Sequence, residues 1–221
     1  MSSRCIALIP AYNEAERIGD VVRLAGRHVD EVVVVDDGSV DDTAAVAERA
    51  GATILRHQEN RGKGAAIATA LDYFGRSAAE TAVLLDADGQ HDPTEIGKFV
   101  EATEKGGVEV VVGTRMGDVR KMPLVRLWTN QFTSWVTSKL SGQRVPDSQC
   151  GYRLVRRAVL KDLKLSTTRF ETETEMLIQA GRAGHKIGSV PIRTIYQAER
   201  SSRIHPWRDT VRFFKLVRKY W

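Results

Sequence analysis

The sequence predicts an α/β protein with a mostly parallel, Rossmann-like central sheet that is flanked by helices. Short apolar runs alternate along the chain with longer segments whose apolar positions follow helical spacing. Strands and helices that alternate in this way form right-handed βαβ units with parallel strands. Several of the apolar runs also end abruptly in carboxylates and glycine. Ligands of such sheets bind beyond the carboxyl ends of the strands, so these polar ends indicate a site.

The first half of the chain contains apolar runs that are short enough to be buried strands. We expect strands at residues 6–9, 32–35, 52–56, 82–85 and 108–112. The segments between them predict helices at residues 14–27, from 41 or 42 to 50, at 65–77 and from 93 onwards. Asn13 is the expected N-cap of the first helix, and Asp41 or Asp42 that of the second. Pro93 suits the first position of its helix, where proline is favoured.

The second half of the chain predicts more helix than strand. Residues 124–140 form an amphipathic segment with three large aromatic residues, and a helix opens near residues 169–175, where acidic side chains suit the first turn. Residues 186–196 alternate like a long edge strand that Pro191 interrupts. We expect residues 1–205 to form one domain and residues 206–221 to form a helical appendage to it.

The basic charge of the protein is concentrated in that C-terminal segment. The net charge is +5, and residues 200–221 contain seven Lys or Arg against the single Asp209. From Pro206 apolar residues recur at intervals of three and four, at Trp207, Val211, Phe214, Val217 and Trp221. A basic amphipathic helix of this kind either lies on an anionic membrane surface or packs its apolar stripe on the parent domain.

The remaining composition favours a cytoplasmic protein. No stretch of the sequence is long and apolar enough to predict a transmembrane helix, and no apolar signal region precedes the first strand. The two cysteines, Cys5 and Cys150, do not suggest a disulfide framework. We therefore expect a reducing, cytoplasmic setting.

Asp86 and Asp88 are the most informative residues of the chain. They follow a buried apolar run, and side chains two positions apart on an extended chain point the same way. Two carboxylates on one side of a strand end repel each other unless a cation joins them. A divalent ion such as Mg²⁺ or Mn²⁺ that carries a diphosphate would serve, although the same residues also suit a plain polar turn.

Two common nucleotide-binding motifs are missing where they would be expected. The glycine fingerprint of dinucleotide-binding folds follows the first strand, but here Pro10-Ala11-Tyr12-Asn13-Glu14 stands in its place. The Gly62-Lys63-Gly64 segment precedes a helix, but its spacing matches neither that fingerprint nor a P-loop. Nicotinamide and ATPase chemistry are therefore disfavoured.

Four short segments together resemble the family 2 glycosyltransferases of the GT-A fold, in particular the branch of dolichyl-phosphate mannose synthase and polyprenyl-phosphate glycosyltransferases. They are Pro10-Ala11-Tyr12-Asn13-Glu14, Val35-Asp36-Asp37-Gly38-Ser39, Asn60-Arg61-Gly62-Lys63-Gly64 and Asp86-Ala87-Asp88-Gly89-Gln90-His91. Each segment is short, but their order and spacing make the resemblance specific. It extends from Ile6 to about Arg203.

The resemblance implies a set of residues that bind a nucleotide-sugar donor. They are Pro10, Tyr12, Glu14, Asp37, Arg61, Lys63, Asp86 and Arg203. Asp37 corresponds to the family residue that hydrogen-bonds the base, whereas we expect Asp36 to be structural. Arg61 and Lys63 suit an anion, or belong to a solvated loop. Arg203 lies in a segment that resembles the family's Gly-x-Ser-Lys loop over the pyrophosphate, with arginine in place of lysine.

The resemblance also implies a metal site for Mg²⁺ or Mn²⁺. Asp88 is the best candidate ligand, with Asp86 beside it and Gln90 as a third contact. His91 is close in sequence, but a hard Mg²⁺ ion prefers oxygen donors. We interpret His91 as local structure.

On the acceptor side the resemblance implies Arg115, Arg126, Gln149 and Arg153. Two arginines suit a phosphate-bearing acceptor, although Arg126 also suits a plain surface position. Residues 147–153 resemble the family's Asp-x-Gln-x-Gly-Phe/Tyr-Arg segment, which makes Asp147 the candidate general base or acceptor-orienting carboxylate. A phosphate acceptor is already ionised near neutral pH, so Asp147 would then only position groups. The expected catalytic set is Asp88, Asp147 and Arg115.

The resemblance thus implies a metal-dependent, inverting glycosyltransferase that moves a sugar from a nucleoside-diphosphate sugar to a polyprenyl phosphate. GDP-mannose and UDP-glucose are the leading donors, and the enzyme is expected on the cytoplasmic face of a membrane. One alternative is a family 2 enzyme that acts on a sugar hydroxyl. Others are a nucleotidyltransferase or a binding module whose basic tail holds nucleic acid, but the strand-end carboxylates disfavour nucleic acid as the partner.

Overall fold

The structure is a computed structural model that describes residues 4–115, 124–193, 195 and 206–221, with only the backbone at 124–126 and 206–209. These residues form seven strands: β1 Cys5–Ala11, β2 Glu31–Asp36, β3 Thr53–Arg56, β4 Thr81–Leu84, β5 Val110–Thr114, β6 Arg153–Arg156 and β7 Ile187–Pro191. They also form seven α-helices: α1 Ile18–Ala25, α2 Thr43–Arg49, α3 Lys63–Arg76, α4 Ile96–Gly106, α5 Leu124–Ser141, α6 Glu171–Arg182 and α7 Pro206–Tyr220.

The described strands make one mixed sheet in the order β3-β2-β1-β4-β6-β5-β7. The four strands from β3 to β4 are mutually parallel, as the alternating pattern predicts. β6 runs antiparallel to both of its neighbours, β4 and β5, and β7 pairs parallel with β5 at the far edge. The predicted fold, a mostly parallel α/β sheet flanked by helices, is confirmed.

The central runs predicted as strands are buried because helices cover the sheet, whereas the edge strand β3 is only partly buried. Side chains such as Val33, Val34 and Val83 are fully buried in the main core. This continuous apolar character is typical of strands covered on both faces. The parallel strands therefore present their carboxyl ends at one edge of the sheet, where polar segments follow them.

Two details of the first predicted helix, its start and its N-cap, are wrong. α1 begins at Ile18 and not near residue 14, because Asn13 has a positive φ of 52° and binds a different loop. Its side-chain oxygen accepts from the Val40 N–H at 3.0 Å. The N-cap of α2 is Asp42, one of the two predicted residues, and the side chain of the other, Asp41, accepts from the Thr43 N–H at 3.0 Å.

Two later elements also differ from the prediction. Pro93 begins a single 3₁₀ turn, Pro93–Glu95, before α4 continues the helix. β6 was not predicted as a strand, and only its first residue, Arg153, belongs to the segment whose resemblance suggested an acceptor site.

The C-terminal helix α7 packs on the domain through a face that the sequence pattern did not select. Leu216 is buried against Val136, Leu140 and Ile178 of α5 and α6, and Phe213, Val217 and Tyr220 flank this contact. Most of the predicted stripe stays outside: Val211, Phe214 and Trp221 are exposed. Thus α7 has two apolar faces, and the described part of the domain covers one of them. Among the described residues, no helix has the length and apolar character needed to span a membrane.

Candidate active site

The ends of β1, β2 and β4 meet at one edge of the sheet. β1 pairs with β2 up to Ala11 and Asp36, and the Asp37 N–H donates to the Ala11 carbonyl at 2.8 Å. The predicted donor residues Pro10 and Tyr12 therefore lie beside the aspartates of β2, and both are half-buried. This places the first two sequence segments of the predicted site together.

Glu14 completes this part of the edge. It is buried, its N–H donates to the Thr43 hydroxyl at 2.8 Å, and its carbonyl accepts from Ile18 N–H at 2.9 Å. These contacts explain locally why the chain turns into α1 at this point. A direct role of Glu14 in binding a ligand stays a prediction.

Asp36 is a structural residue, as predicted. It is fully buried, and its Oδ1 accepts from the Ser39 N–H at 3.0 Å. Its Oδ2 lies 3.1 Å from Nε of Arg56, whose side chain is mostly exposed. These contacts shape the turn that follows β2.

Asp37 is held by the segment that follows β3. Its Oδ1 lies 2.7 Å from Nδ1 of His57 and accepts from the Arg61 N–H at 3.0 Å. Its Oδ2 accepts from the Gly62 N–H at 2.8 Å. The carboxylate thus joins the end of β2 to the start of α3. Arg61 contributes its backbone N–H to this group, while its exposed side chain lies outside the core, and its role in binding the donor stays a prediction.

Lys63 lies between two carboxylates. Its Nζ is 2.6 Å from Oδ1 of Asp86 at the end of β4 and 3.3 Å from Oε2 of Glu173 at the start of α6. Burial acts to lower the pKa of Lys63, but the two carboxylates raise it well above its usual range. Burial likewise acts to raise the pKa of Asp86, yet Lys63 holds that pKa down at about 2. Asp86 is therefore ionised at neutral pH.

Gly151 explains how Asp86 and Glu173 come so close together. A Cβ atom at Gly151 would lie 2.8 Å from Oδ2 of Asp86 and 3.0 Å from Oε1 of Glu173. Glycine leaves room for both carboxylates beside the backbone of the segment that precedes β6. Lys63 then offsets the repulsion between two like charges.

Asp88 and Gln90 form the turn beyond β4. The Gln90 N–H donates to Oδ1 of Asp88 at 2.9 Å, and both side chains are half-exposed. Carboxylate and amide oxygens are the donors that Mg²⁺ and Mn²⁺ prefer, so Asp88 and Gln90 fit a divalent ion by their chemistry. In residues 4–115, 124–193, 195 and 206–221, no group of three or more His, Cys, Asp or Glu residues is arranged to hold a metal ion.

His91 is part of the local structure of this turn. Its Nδ1 accepts from the Asp86 N–H at 3.2 Å, and its buried ring stacks on Tyr152 with ring centroids 5.1 Å apart. Burial is the largest influence on this imidazole and lowers the pKa of His91. These contacts agree with the interpretation made from the sequence.

Arg115 and Asp147 form a bidentate ion pair. Nε of Arg115 lies 2.9 Å from Oδ2 of Asp147, and its Nη2 lies 3.0 Å from Oδ1. Asn130 of α5 donates to the same Oδ1 at 2.9 Å, and Asp147 is fully buried. Burial acts to raise the pKa of Asp147, but the hydrogen bonds and charge of Arg115 lower it below its usual range. This geometry suits a positioning carboxylate better than a general base.

The prediction that Arg153 contacts an acceptor is wrong. Arg153 lies in β6 and is fully buried. Its guanidinium donates to the carbonyls of Cys150 and Ser148 at 2.7 Å each, and to the carbonyl of Glu173. Arg153 therefore shapes the 148–151 segment from behind, while Gln149 of that segment is exposed.

Two predicted residues cannot be placed. Arg203 lies outside the described residues, and Arg126 lies in α5 where only the backbone is described. Their predicted roles in binding donor and acceptor stay predictions.

Sequence reasoning missed three residues that the fold brings to this edge. They are His57 at Asp37, Glu173 at Lys63 and Asn130 at Asp147. The sequence predicts Glu173 only as part of an acidic helix start, and α6 indeed begins at Glu171. The sequence carries no signal for these pairs, because the partners come from distant parts of the chain.

Comparison with solved structures supports the fold. Over 96% of this chain, it superposes with a TM-score of 0.71 and 21% identity on 76% of glucosyl-3-phosphoglycerate synthase from Mycobacterium tuberculosis, solved with Mn²⁺ and UDP-glucose. At this identity the likeness concerns the fold alone. The fold is thus that of a GT-A glycosyltransferase.

The sequence comparisons place the chain more narrowly. The model of the family described as Glycosyl transferase family 2 matches residues 6–164. The chain belongs to the family 2 glycosyltransferases and is a glycosyltransferase, as the resemblance implied.

Curated relatives of similar length support the polyprenyl-phosphate branch of that family. The chain is 35% identical to UDP-N-acetylglucosamine–dolichyl-phosphate N-acetylglucosaminyltransferase of Methanococcus voltae, over 86% of this chain and 84% of the relative. It is 31% identical to polyprenol monophosphomannose synthase of Mycolicibacterium smegmatis, over 75% of this chain and 66% of the relative.

Proposed function

We propose that this enzyme transfers a sugar from a nucleoside-diphosphate sugar to a polyprenyl phosphate, with inversion at the anomeric carbon. The observation that carries the proposal is the group formed by Lys63, Asp86 and Asp88 at the end of β4. Two carboxylates and one ammonium at the edge of a parallel sheet suit a metal-bound diphosphate. The names of the Methanococcus and Mycolicibacterium relatives support a polyprenol-type acceptor.

The residues of the chain divide the proposed reaction between them. Asp88 and Gln90 would hold the divalent ion, which neutralises charge on the departing diphosphate. Asp37, with Pro10 and Tyr12, would receive the nucleoside. Lys63 keeps Asp86 ionised and in place beside them. An oxygen of the acceptor phosphate forms the new bond to the anomeric carbon as the bond to the diphosphate breaks.

The acceptor side favours a phosphate over a sugar hydroxyl. A hydroxyl acceptor needs a base that takes its proton, and Asp147 is poorly suited to that task. Both of its oxygens accept from Arg115, and its lowered pKa makes it a weak base. A phosphate acceptor is already ionised and needs positioning only.

A transfer assay tests the proposal. We would incubate the protein with UDP-N-acetylglucosamine, UDP-glucose or GDP-mannose, a short polyprenyl phosphate, and Mn²⁺, Mg²⁺ or a chelator. We expect labelled lipid with one donor and a metal, and at least a 100-fold lower rate for Asp88→Asn. Asp72→Asn is the matched control, because Asp72 is an exposed residue of α3 that pairs with Arg76 one turn further along the same helix.

The other outcomes discriminate among the alternatives. Transfer to free sugars but not to the lipid would establish a hydroxyl acceptor. Release of pyrophosphate from a sugar phosphate and a nucleoside triphosphate would identify a nucleotidyltransferase. Binding of nucleic acid without consumption of any donor would refute the enzyme proposal in favour of a binding module.

We also infer that the enzyme contacts a membrane through an aromatic face formed by Trp128, Phe132, Trp135 and Phe214. These residues of α5 and α7 are exposed by between 47% and 71%. The Phe132 ring centroid lies 6.4 Å from that of Trp135 and 6.5 Å from that of Phe214, so the face is continuous. The exposed Lys215 and Arg218 of α7 suit anionic headgroups. This contact would bring the enzyme to a lipid-borne acceptor.

Sedimentation with vesicles tests this contact. We expect wild-type protein to bind vesicles that contain anionic lipid, and the double variant Trp128→Ser/Phe132→Ser to lose at least 10-fold in affinity. Val40→Ser is the control, because Val40 is 88% exposed but belongs to the loop after β2. Equal binding by both variants would contradict the inference.

A further inference from the structure

His57 is a buried polar residue that none of the roles described above uses. It follows β3, and only 7% of its surface is exposed. Its backbone N–H donates to the Asp36 carbonyl at 2.9 Å. Nδ1 lies 2.7 Å from Oδ1 of Asp37, and Nε2 lies 2.9 Å from the hydroxyl oxygen of Thr69 in α3. Both ring nitrogens are thus engaged, one with β2 and one with α3.

The hydrogen-bond partners of His57 determine which of its ring nitrogens carries a proton. A carboxylate only accepts hydrogen bonds, so Nδ1 must carry the proton that lies between His57 and Asp37. The Thr69 hydroxyl can donate or accept, so Nε2 is served in either state of the ring. His57 therefore donates to Asp37, and Thr69 orients the His57 ring from the opposite side.

The donors around Asp37 leave a defined part of its carboxylate for a ligand. Oδ1 accepts from His57 and from the Arg61 N–H, whereas Oδ2 accepts from the Gly62 N–H. A carboxylate offers about four acceptor positions. Among the contacts of the described residues, the open position is therefore on Oδ2. An imino N–H of a nucleobase is a donor of the right kind for it.

His57 lines a cleft beside closely packed loops. An open cleft of about 430 Å³ is lined by Gly38, Ser39, Arg56, His57 and Gln58. Gly38 has a φ of 73°, and a Cβ atom there would lie 2.4 Å from the carbonyl carbon of Glu59. The turn after β2 and the segment after β3 are therefore closely packed, and His57 lies where they meet the cleft.

We propose that His57 is a positioning residue for nucleobase recognition: by holding Oδ1 of Asp37 it presents Oδ2 to the base of the nucleoside-diphosphate donor. This inference rests on the proposed function, because it assumes such a donor. The inference adds His57 to the proposed site, as a residue that acts through Asp37 and contacts neither the diphosphate nor the sugar. Loss of His57 therefore weakens binding of the base and spares binding of the diphosphate.

Calorimetric titration of the full chain with UDP, GDP and inorganic pyrophosphate, each with Mn²⁺, tests this inference. For His57→Leu we expect the affinity for the preferred nucleoside diphosphate to fall at least 10-fold, because one charge-assisted hydrogen bond is lost. The affinity for pyrophosphate should change by less than about 3-fold, because that ligand has no base. In turnover, the donor KM should rise while kcat stays within the same range.

Two further variants separate positioning from simple destabilisation. His57→Asn retains an N–H donor near the place of Nδ1 and should recover most of the affinity for the nucleoside diphosphate. His185→Leu is the control, since His185 is equally buried and lies between Asp162 and Glu109, at 2.8 and 3.0 Å, beside β5 and β7. The His185→Leu variant should be less stable than wild type, but the ratio of its affinities for nucleoside diphosphate and for pyrophosphate should not change.

The outcomes distinguish this inference from the proposed function. If wild-type protein binds UDP or GDP and His57→Leu binds it equally well, the role of His57 is refuted and the proposed function stands. If His57→Leu weakens nucleoside diphosphate and pyrophosphate alike, the positioning role is also refuted. If wild-type protein binds neither nucleoside diphosphate, the proposed function and this inference both fail.

Discussion

The candidate site contains two ion pairs that differ in burial: Asp86 with Lys63 at one end of the site, and Asp147 with Arg115 at the other. At the Asp86 end, the side chains of Asp86 and Lys63 remain 27% and 21% exposed, so the ion pair is only partly buried. At the Asp147 end, the carboxylate is fully buried and the guanidinium of Arg115 is 12% exposed. A partly exposed pair can exchange partners when a ligand arrives, whereas a buried bidentate pair holds the fold. The geometry of the Asp86 end thus suits binding, and that of the Asp147 end suits positioning.

The largest effect on stability is expected at the Asp147 end. Arg115→Leu leaves a buried carboxylate without its cation and should lower the free energy of unfolding by about 3–5 kcal/mol. Denaturant titration measures this loss. Arg76→Leu, which removes an exposed partner of Asp72, should change stability by less than about 1 kcal/mol. A similar small change for Arg115→Leu would show that the two ends do not differ in this way.

A second large effect concerns Glu175, which fastens α7 to the domain. Its carboxylate is fully buried and accepts from the Ser166 N–H, the Thr167 N–H and Lys219 Nζ at 2.9–3.0 Å. Burial acts to raise its pKa, but Lys219 and these donors lower the pKa of Glu175 from 4.5 to about 2. The stabilisation is therefore present above the unfolded-state pKa and is lost as the pH falls towards 2.

We expect Glu175→Gln to lose about 2–3 kcal/mol at pH 7 and to lack this acid-dependent part of the stability curve. Unfolding measured from pH 6 to pH 2 tests the change. Glu101→Gln is the control, because Glu101 is an exposed partner of Lys105 on α4. Parallel stability curves for wild type and Glu175→Gln would refute the linkage.

At the Asp86 end we expect a smaller loss of stability with a larger loss of activity. Lys63→Met leaves Asp86 and Glu173 facing each other, which should raise the pKa of Asp86 above its present value of about 2. Partial exposure limits the cost to about 1–2 kcal/mol, while the transfer rate should fall at least 100-fold. Thermal unfolding and the transfer assay together measure both changes. A stability loss as large as that of Arg115→Leu would make Lys63 a scaffold residue.

The smallest expected change in stability comes from Gly151→Ala. The added methyl group meets the ends of two side chains, Asp86 and Glu173, which can shift by a few tenths of an ångström. We expect a loss of about 1 kcal/mol and a roughly 10-fold slower transfer, since small displacements at a reacting centre are costly. Gly97→Ala in α4, where a Cβ atom meets nothing within 4 Å, is the control. Equal activity of both variants would show that the position of Asp86 is not critical.

Much of the parallel part of the fold could be predicted from the sequence. The runs around Val33 and Val83 are apolar without interruption, and such runs are hard to place anywhere except in a buried strand. The carboxylates that follow them could be located for the same reason, because the direction of parallel strands brings their ends to one edge. Asp36, Asp37, Asp86 and Asp88 were all found in this way.

The prediction failed where local sequence did not decide orientation. The resemblance implies a binding role for Arg153 of β6, but this side chain points inward and donates to three carbonyls. A charged side chain is expected at the surface unless its donors are satisfied, and the carbonyls that satisfy Arg153 belong in part to distant Glu173. For the same reason the sequence did not predict which apolar face of α7 packs on the domain. That face is determined by the positions of α5 and α6.

By itself, the sequence determined the strand–helix alternation, the polar strand ends and the family of this protein, because these depend on short-range patterns of burial and turn formation. The tertiary structure decided the partners. Lys63 pairs with Glu173, and Asp37 pairs with His57. Asp147 binds Arg115 and Asn130, and in each case the partners are far apart in the sequence. A pairing of charges or hydrogen-bonding groups depends on distances of a few ångströms, and those distances are defined only when the sheet and its helices have packed.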